Sequence, residues 1–463
     1  MHGRDVVVVL DGAVSTALAE RLSRMDGLIE SVAIGYDTVR LRLVGPAAVR
    51  TVASGVLLTP QEPAGGSPAW EKRRLLILQA QMQAQHGEAG AAQARLASAL
   101  QDRPDDVDLL AGLASLDERA GRWHSGLTLY DRILSDNPGA EEIARARDAL
   151  GLRVGPLLRT DVFVTASAGG ERTQGVLLNG AAPLSEDWRA DFAQETRHES
   201  ARNVLRSDGL SGGAIDTTRV RSEFGLTRAW GADETTRAAV HLADGGPGFA
   251  LQHRFTSTWG TTTLSGDYKR PYWDTLTSLR GNASRDLVQV QQEWRLSPAL
   301  AAELGGGGER YGIPARRDLT KGGVVSAGLT WTVPARAVRR VLPRGWTARL
   351  GYQLAAEYIA SVATPYGRGL PPLDVRRREI HAAEATVERL VGPGLLTATG
   401  GYAIDRYGGS GPVARLRYAR AEDEARPLSF GVEGSLAPSL AQQSRVVWQA
   451  SAFLLWRFGM GAH

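Results

Sequence analysis

The sequence contains no cysteine. This absence excludes disulfides, thiolate catalysis and cysteine-ligated metal sites. Besides cysteine, histidine is the side chain that most often binds transition metals, and the chain has eight histidines. No two of these histidines stand four residues apart, and the HExxH pattern does not occur. We therefore predict neither a metal site nor a cofactor.

Lysine is almost absent as well. Only Lys72, Lys269 and Lys321 occur, so nearly all of the 54 basic residues are arginines, and 50 acidic residues almost balance them. A pI near 9.4 would suit a nucleic-acid-binding protein. However, a formal net charge of +4 without any block of basic residues does not indicate one. We predict no nucleic-acid partner.

Long apolar runs are also lacking. No stretch approaches the ~18 apolar residues of a membrane-spanning helix. The beginning, MHGRDVVVVLDGAV, has a short apolar run that Asp11 interrupts, and no signal peptide is visible in it. Taken alone, this start indicates the cytoplasm. A leader that was removed, or a start codon assigned too late, would also explain it.

Aromatic residues are nearly missing from the first third of the chain. All eight phenylalanines, nine of eleven tryptophans and nine of eleven tyrosines lie after residue 158. The earlier part is rich in alanine, leucine and arginine. The sequence therefore predicts two different kinds of structure, one before and one after this point.

Residues 1–60 predict a small α+β module of βαββ order. DVVVVL, SVAIGY and TVRLRLVG have the character of strands, and VSTALAERLSRM places its apolar residues on one helical face. We interpret this module as a packing or spacer domain, with docking of a partner as the alternative. The Pro/Gly-rich stretch PQEPAGGSPAW predicts a linker at 61–69.

Residues 70–157 predict helices with an internal repeat. Gly87 recurs as Gly121, Ala92 as Gly126, Leu96 as Tyr130 and Pro104 as Pro138, each 34 residues later. A 34-residue period with a turn glycine, a small residue in the second helix and a closing proline resembles the tetratricopeptide repeat. Two repeats are fewer than the roughly three that a free-standing solenoid needs, and EEIARARDALG (141–151) would supply a capping helix.

Residues 158–463 alternate polar and apolar residues with period two. GWTARLGYQLAAEY (345–358) and DLVQVQQEWRL (286–296) show the pattern, which is typical of strands with one apolar face. A soluble sandwich or propeller would also alternate. Runs of 11–14 residues exceed the usual ~5–6 of globular sheets. Aromatic residues flank the apolar faces, as in the girdles of membrane barrels. We therefore predict an antiparallel transmembrane β-barrel of about 16 strands.

The polar faces of these strands supply the candidate site, the lining of a water-filled lumen. The candidate lumen-lining residues are Arg219, Arg221, Glu223, Glu293, Arg295, Arg349, Glu357, Arg415 and Arg417. This set leans basic, which would favour an anionic ligand. VVWQASAFLLWRF (446–458) predicts the closing strand, with Trp448, Trp456 and Phe458 on its apolar face and with a strand near Asp161 as its partner.

Catalytic motifs are not found, and we predict that the protein is not an enzyme. LGGGGERYG (304–312) lacks the GK[ST] of a phosphate-binding loop. His198 near Ser200, or His241 with Asp244, would be the candidates if the barrel were a hydrolase, but no third orienting group accompanies either pair.

DYKRPYWDTL (267–276) contains three aromatic residues next to charged ones. Tyr268, Tyr272 and Trp273 are candidate sugar contacts, because aromatic rings stack on pyranose faces and charged groups bind hydroxyls. The alternative is that they belong to an interfacial girdle. The sequence leaves both interpretations open.

A tetratricopeptide-like stretch followed by a barrel of about 16 strands resembles the exopolysaccharide-export porins of Gram-negative bacteria. These are the outer-membrane proteins of the Pel, poly-N-acetylglucosamine and cellulose secretion systems, and the Pel type is the most similar. The resemblance covers residues 70–463. The chain departs from that pattern in having about two repeats, in its module at 1–60 and in its arginine-rich candidate lumen.

The resemblance implies an outer-membrane porin that exports a biofilm polysaccharide, with its N-terminal part in the periplasm. The implied partners are a secreted polysaccharide, periplasmic or inner-membrane proteins of polysaccharide synthesis, and outer-membrane lipid. A structural or receptor barrel with a protein-docking repeat module is the main alternative. A barrel hydrolase is the third.

Overall fold

The computed structural model describes residues 5–9, 29–34, 38–43, 47–52, 55–60, 68–85, 89–119, 121–167, 170–202, 213–231, 233–257, 259–297, 299–343, 345–363, 377–420, 426–438 and 446–459. The chain divides into two compact units, Met1–Gly112 and Leu113–His463. The division falls inside one helix, and each unit is described by itself below.

The first unit begins with two small antiparallel sheets. Strands β1 (Asp5–Val9), β2 (Ile29–Ile34) and β3 (Thr38–Leu43) form one sheet in the order β1-β3-β2. Strands β4 (Ala47–Val52) and β5 (Gly55–Pro60) pair as a separate hairpin, which the sequence interpretation missed. The helix predicted at VSTALAERLSRM lies outside the described residues.

Five helices follow, α1 (Pro68–Gln85), α2 (Ala89–Asp102), α3 (Val107–Arg119), α4 (Trp123–Asp136) and α5 (Glu141–Val154). Helices α4 and α5 begin 34 residues after α2 and α3, respectively, so the period seen in the sequence is also the period of the helices. No helix within the described residues is long and apolar enough to span a membrane.

Small residues bring the helices of each unit close together. In the first unit, Leu96 is fully buried, and its side chain lies 3.4 Å from the position that a Cβ of Gly112 would take. In the second unit, a Cβ at Gly126 would lie 3.3 Å from the Ala114 carbonyl oxygen and 3.3 Å from Leu150. A larger residue at Gly126 would force these helices apart, because buried side chains leave little free volume.

The rest of the second unit is one closed barrel of sixteen antiparallel strands. The first eight are β6 (Leu157–Ser167), β7 (Arg172–Pro183), β8 (Trp188–Ala201), β9 (Ile215–Ala229), β10 (Glu234–Ala243), β11 (Gly248–Ser257), β12 (Gly260–Pro271) and β13 (Ser284–Ser297). The others are β14 (Leu300–Ile313), β15 (Arg316–Thr332), β16 (Trp346–Val362), β17 (Arg378–Val391), β18 (Gly394–Asp405), β19 (Ser410–Arg420), β20 (Leu428–Pro438) and β21 (Val446–Arg457).

Each barrel strand pairs with its neighbours in sequence, and β21 pairs with β6 to close the ring. At this closure Phe453 lies opposite Asp161 and Trp456 opposite Leu158. The predicted antiparallel barrel of about 16 strands, preceded by a helical segment, is confirmed. A ring without free edges satisfies the backbone hydrogen bonds of every strand, whereas a sandwich leaves edges unpaired.

The two ends of the barrel differ. At one end, called the helix end here, α5 leads into β6, β21 finishes, and most connections within the described chain are short, such as 392–393 between β17 and β18. At the opposite end, called the far end, the longer connections include 272–283, which contains helix α6 (Leu276–Arg280). Helix α7 (Ala335–Val338) lies in a connection of the helix end.

Helices α4 and α5 are attached directly to the helix end. The backbone N–H of Ser125 donates to a carboxylate oxygen of Glu186, in the turn between β7 and β8, at 3.0 Å. The backbone N–H of Phe458, just after β21, donates to the Pro156 carbonyl at 2.8 Å. A Cβ at Gly155 would collide with the Phe458 carbonyl oxygen, so this junction is closely packed.

Candidate functional site

Strand register divides the barrel side chains into two faces. Residues directly opposite each other on paired strands point to the same side of a sheet, and successive residues of a strand alternate. Following the register from strand to strand around the closed ring places all nine candidate lumen residues on one face. We call this the polar face.

Burial shows that the polar face is the interior of the barrel. Its acids Glu195 and Glu199 are only 4% and 3% exposed. On the opposite face, Val288 and Leu251 are 71% and 57% exposed. Exposed large apolar side chains on the convex side and enclosed charges on the concave side define an apolar exterior around a charged interior.

One interior network joins β8, β9 and β10. Arg237 on β10 lies 2.5 Å from both Asp191 on β8 and Glu223 on β9. Arg221 reaches Glu195 at 2.5 Å. The ring of His241 lies 3.0 Å from Glu223, and it is 3% exposed. This part of the wall is therefore covered by paired charges rather than by a free charge of one sign.

The remaining candidate residues are spread around the ring. Arg219 pairs with Asp244 at 2.7 Å, Arg415 pairs with Glu433 at 3.3 Å, and Arg349 pairs with Glu388. Glu357 accepts a hydrogen bond from the Tyr311 hydroxyl at 2.9 Å. Glu293 and Arg295 share the face without an ion pair to another described residue.

Arg417 takes part in an aromatic contact on the interior face. Its guanidinium carbon lies 5.6 Å from the centre of the Phe453 ring, and that of Arg159 lies 4.4 Å from the same ring. Both arginines face the interior by register. Both guanidinium groups lie within cation–π distance of this one ring, and Arg159 also donates hydrogen bonds to the Asp161 carboxylate, the shortest at 2.7 Å.

Most of the interior acids were not among the residues predicted from the sequence. Asp191, Glu195, Glu199, Asp267 and Glu309 all face the interior and all contact a basic group or a tyrosine. The alternating string WRADFAQETRHE already places Asp191, Glu195, Arg197 and Glu199 on one side and could have revealed them. With these acids included, the described interior is close to charge balance and no longer leans basic.

The three aromatic candidates of DYKRPYWDTL separate in the structure. Tyr268 lies on the exterior, opposite Phe249. Tyr272 and Trp273 follow β12 and are 4% and 5% exposed. Their rings are covered by protein, so this structure gives neither of them a surface on which a sugar could stack.

Residues 272–283, called the inner segment here, lie against the interior wall. The Trp273 carbonyl accepts a hydrogen bond from Arg197 of β8 at 3.2 Å, and the Trp273 ring lies 5.1 Å from the Arg221 guanidinium. On the other side, the Tyr272 and Tyr311 rings are 4.7 Å apart. The segment therefore narrows the far end of the interior from the side of β8 to β14.

Helix α6 gives the inner segment a fixed shape. Thr275 caps the helix by accepting a hydrogen bond from the backbone N–H of Ser278 at 3.1 Å, and the Ser278 side chain bonds back to Thr275. Leu279 is fully buried against Trp273, Ala201 and Ile215. A cavity of about 410 Å³ is lined by Asp191, Glu195, Glu223, His241 and Arg270, among others, and it ends at Pro271, directly before the inner segment.

The histidine pairs considered for a hydrolase do not form catalytic contacts. His241 contacts Glu223, whereas Asp244 contacts Arg219. His198 faces the exterior, where its ring lies 3.1 Å from the Thr218 hydroxyl. Within the described part of the chain, no cluster of three or more histidine or acidic side chains has the arrangement of a metal site.

The last strand completes the exterior. Trp448 and Trp456 of β21 are 47% and 52% exposed on the apolar face. Phe458 stacks on Trp456 with 5.2 Å between ring centres and 15° between ring planes. These rings lie near the two ends of the strand, where the interfacial girdles of membrane barrels are found.

No protein-family model matches the chain, and no curated protein is significantly similar to it. Its barrel is similar to solved structures. A bacterial polysaccharide outer membrane secretin shares 11% identity over 66% of this chain and 99% of its own, with a TM-score of 0.46. The outer membrane protein OprD of Pseudomonas aeruginosa shares 11% identity over 66% and 94%, with a TM-score of 0.34.

The toluene transporter TodX of Pseudomonas putida shares 12% identity over 66% of this chain and 90% of its own, with a TM-score of 0.32. All three TM-scores are below 0.5. The barrel assignment therefore rests on the strand pairing described above, and the similarities by themselves establish no function.

Proposed function

We propose that this chain is a non-enzymatic outer-membrane channel that exports a secreted polysaccharide. The observation that carries the proposal is the closed sixteen-strand barrel with an apolar exterior and a charged, ion-paired interior. Polysaccharide export is the interpretation that the sequence resemblance favours, and the interior chemistry supports it.

The exterior supports a membrane location. Its large side chains are exposed all around the ring, and examples are Phe224, Leu264, Leu350, Leu416 and Trp456, at 40% exposure or more. A protein with an apolar surface of this extent would aggregate in water. The same surface is what the hydrocarbon core of a membrane requires of a barrel that spans it. Strands of 10 to 17 residues are also long enough to cross a bilayer at a tilt.

The two ends support an orientation. Membrane barrels of this class have short turns on the periplasmic side and longer loops outside the cell. The helix end has the shorter turns and carries α4 and α5, so it would face the periplasm. The far end, with the inner segment, would face the outside.

The interior supports passage of a polar polymer. Sixteen strands enclose more space than side chains alone can fill. Paired guanidinium and carboxylate groups offer many donors and acceptors of moderate strength, so hydroxyl-rich chains can exchange one contact for the next. Because the described charges nearly balance, the wall has no electrostatic reason to select a strongly charged polymer of either sign.

The helices support a docking role on the periplasmic side. Their 34-residue period fits tetratricopeptide-like repeats, which bind proteins and in some families follow a polymer. We propose that they hold the polysaccharide or the periplasmic and inner-membrane proteins that make it. The barrel itself would contact outer-membrane lipid.

A pair of neighbouring substitutions tests the proposal. Leu350 is exposed on the exterior, and Arg349 next to it faces the interior and pairs with Glu388. Leu350→Arg should prevent assembly, because a charge near the bilayer midplane costs roughly 2–4 kcal/mol. Arg349→Glu should assemble normally and change ion selectivity and polysaccharide secretion. Heat-modifiable electrophoretic mobility reports assembly, planar bilayers report conductance, and cells without the native gene report secretion.

The same measurements separate the alternatives. If both variants were equally harmless, the barrel would not span the membrane through this strand. In a structural or receptor barrel, protein would fill the interior, as the inner segment partly fills it here. Such a barrel would assemble but show little conductance. Normal secretion by cells that lack the protein would exclude the export function.

A further inference from the structure

A row of charged side chains lies on the exterior near the far end. Asp286 on β13, Arg310 on β14 and Lys321 on β15 lie directly opposite one another across three adjacent strands. Lys269 follows Tyr268 at the bulge of β12, and Arg317 reaches into the same group from the start of β15. We call Lys269, Arg310, Arg317 and Lys321 the basic row.

The basic row carries an excess of positive charge. Asp286 alone accepts hydrogen bonds from Arg310 and from Arg317, both at 2.9 Å, and from the backbone N–H of Lys269 at 2.7 Å. The Arg317 guanidinium also lies over the Tyr268 ring at 4.3 Å. Lys321 is exposed and has no ion pair with a described residue. One carboxylate therefore faces four cations, and two of these are among the three lysines of the whole chain.

Glycines form a trough directly beside the basic row, towards the middle of the barrel. The next exterior row consists of Gly266, Val288, Gly308 and Gly323 on β12, β13, β14 and β15. With Phe249, Leu251 and Tyr268 along one edge, it forms a groove of about 720 Å³ that also contacts Arg310 and Lys321. We call this groove the glycine trough.

Packing within the protein does not explain the outward-facing Gly266 and Gly308, whereas a Cβ at Gly323 would lie 3.3 Å from the Gly307 carbonyl oxygen. On the interior side of β14, a Cβ at Gly307 would collide with the Val288 carbonyl oxygen, and one at Gly305 would lie 2.5 Å from Ser326. On the exterior side, a Cβ at Gly308 would meet nothing within 4 Å, and one at Gly266 would meet only a carbonyl oxygen at 4.0 Å. Glycine weakens a strand interior and often marks a place that a ligand approaches closely.

We propose that the basic row and the glycine trough together bind a lipid with a phosphate-bearing head group. Its phosphates would contact the basic row, since lysine and arginine are the common phosphate ligands. An acyl chain would lie in the trough, where the missing side chains leave room for it. The inference rests on the proposed function in one respect, namely that the barrel exterior faces a membrane whose outer leaflet is at the far end.

The occupant is a phosphorylated lipid rather than free phosphate, because the charged and apolar parts form one continuous groove. A second exterior groove provides the comparison. It has a volume of about 690 Å³ and is lined by Val162, Leu416, Tyr418, Val432 and Gly434 without any lysine or arginine. Gly434 is as open as Gly308, with nothing within 4 Å of its Cβ position. An acyl chain without a charged head group would fit that second groove. Of the two grooves, the glycine trough is the one that has cations beside it.

Native mass spectrometry of the detergent-purified full chain tests the proposal. The probes are lipid A with two phosphates, the same lipid after dephosphorylation, and inorganic phosphate. We expect strong binding of the first and weak binding of the second, without competition from millimolar inorganic phosphate. The double variant Lys269→Gln/Lys321→Gln should bind the phosphorylated lipid about 30-fold more weakly, since each surface lysine contributes about 1 kcal/mol.

Gly308→Leu tests the trough, and Gly434→Leu is its matched control in the second groove. Gly308→Leu should weaken binding of the phosphorylated lipid, whereas Gly434→Leu should leave it unchanged. Equal effects of the two glycine variants would overturn the assignment of the trough. Equal affinity for the phosphorylated and dephosphorylated lipids, or full displacement by inorganic phosphate, would overturn the assignment of the head group.

All variants are compared as assembled barrels, identified by heat-modifiable mobility. If the double lysine variant does not assemble, Lys321→Gln alone decides, because its side chain has no ion pair with a described residue. Unchanged binding by that variant would contradict the proposal. Secretion and conductance are measured separately, so a failure of polysaccharide export does not alter the lipid result, and the reverse also holds.

Discussion

Asp106 shows how a single side chain fixes the start of a helix. It precedes α3, and its carboxylate accepts a hydrogen bond from the backbone N–H of Leu109 at 3.2 Å and one from Arg73 at 2.6 Å. Burial by itself would raise the pKa of the Asp106 carboxyl, but these hydrogen bonds, the charge of Arg73 and the backbone N–H of Asp108 together hold the pKa below its ordinary value. The charged form is therefore the one that the folded state favours.

The sign of the pH dependence follows from that direction. Because the pKa of Asp106 is lower in the folded state, its contribution to stability is complete above the unfolded pKa of about 4. The contribution is lost as the pH falls through the lower, folded pKa. Acid should therefore loosen the start of α3 before it affects helices without such a cap.

Asp106→Asn separates the cap from the charge. Asparagine keeps an oxygen for the Leu109 N–H but loses the ion pair with Arg73, at a cost of about 1 kcal/mol near neutral pH. Amide hydrogen exchange in the first turn of α3 should accelerate about fivefold at pH 7. The ratio between variant and native protein should fall towards one only as the pH drops below about 4 and through the lower, folded pKa of Asp106. Asp102→Asn, at an exposed position, should change nothing, and an identical response of both variants would contradict the role of Asp106.

Individual residues were predicted best where the alternation of a strand is clean. The positions of Arg349 and Glu357 follow from period two alone, and the register places both on the interior face. The polar partners were harder to predict. The pairs Arg237–Asp191 and Tyr311–Glu357 each join strands that are two apart, and no pattern within one strand indicates such a contact.

Among the elements, the strands were predictable and the inner segment was not. A strand facing lipid on one side and water on the other must alternate over its full length, so its signal is local. The inner segment is buried because Arg197, Arg221 and Tyr311 of three other strands surround it. Its string RPYWDTLTSLR has the composition of a surface turn, and only tertiary contacts bury it.

Removal of one ring should release the inner segment. Trp273→Ala removes the contacts with Arg197 and Arg221 and leaves a cavity beside Leu279, a loss of about 3–5 kcal/mol for a buried tryptophan. We expect trypsin to cleave faster after the exposed Arg280 and single-channel conductance to rise. Trp259→Ala, at a position that is 79% exposed at the helix end, is the control. Equal cleavage and conductance in all three proteins would show that the segment does not restrict the interior.

At the scale of the whole molecule, the number of strands was predictable from length. About 306 residues at about 19 residues per strand and turn give about 16 strands, and single-chain bacterial barrels prefer even numbers. The basic row could not be predicted in this way. Its outermost members, Lys269 and Lys321, are 52 positions apart in the chain, and only the register of four strands brings them together.

Closure of the ring is testable with cysteines, because the native chain has none. Thr165 and Gln449 lie directly opposite each other on β6 and β21 and both face the interior. Opposite residues have Cα atoms about 4.5–5.5 Å apart, which a disulfide can span. Thr165→Cys/Gln449→Cys should cross-link on mild oxidation and shift mobility in non-reducing gels.

Val164→Cys/Gln449→Cys is the matched control for this register. Val164 is the neighbour of Thr165 but points to the exterior, so its sulfur should not reach position 449. Efficient cross-linking of the control pair, or none of the first pair, would mean that β21 meets β6 in another register or not at all.

The junction at the helix end sets the order in which the molecule can be completed. Pro156 and Phe458 are held together by a backbone hydrogen bond, although the whole barrel separates them in the chain. Only glycine fits at position 155, because a Cβ there would collide with the carbonyl oxygen of Phe458, the residue that follows β21. The contacts of Gly155 and Pro156, just after α5, are therefore complete only once β21 has closed the ring. A barrel whose β21 has not yet paired with β6 would lack the contacts between Phe458 and residues 155 and 156. The end of α5 would therefore differ between an unclosed and a closed barrel.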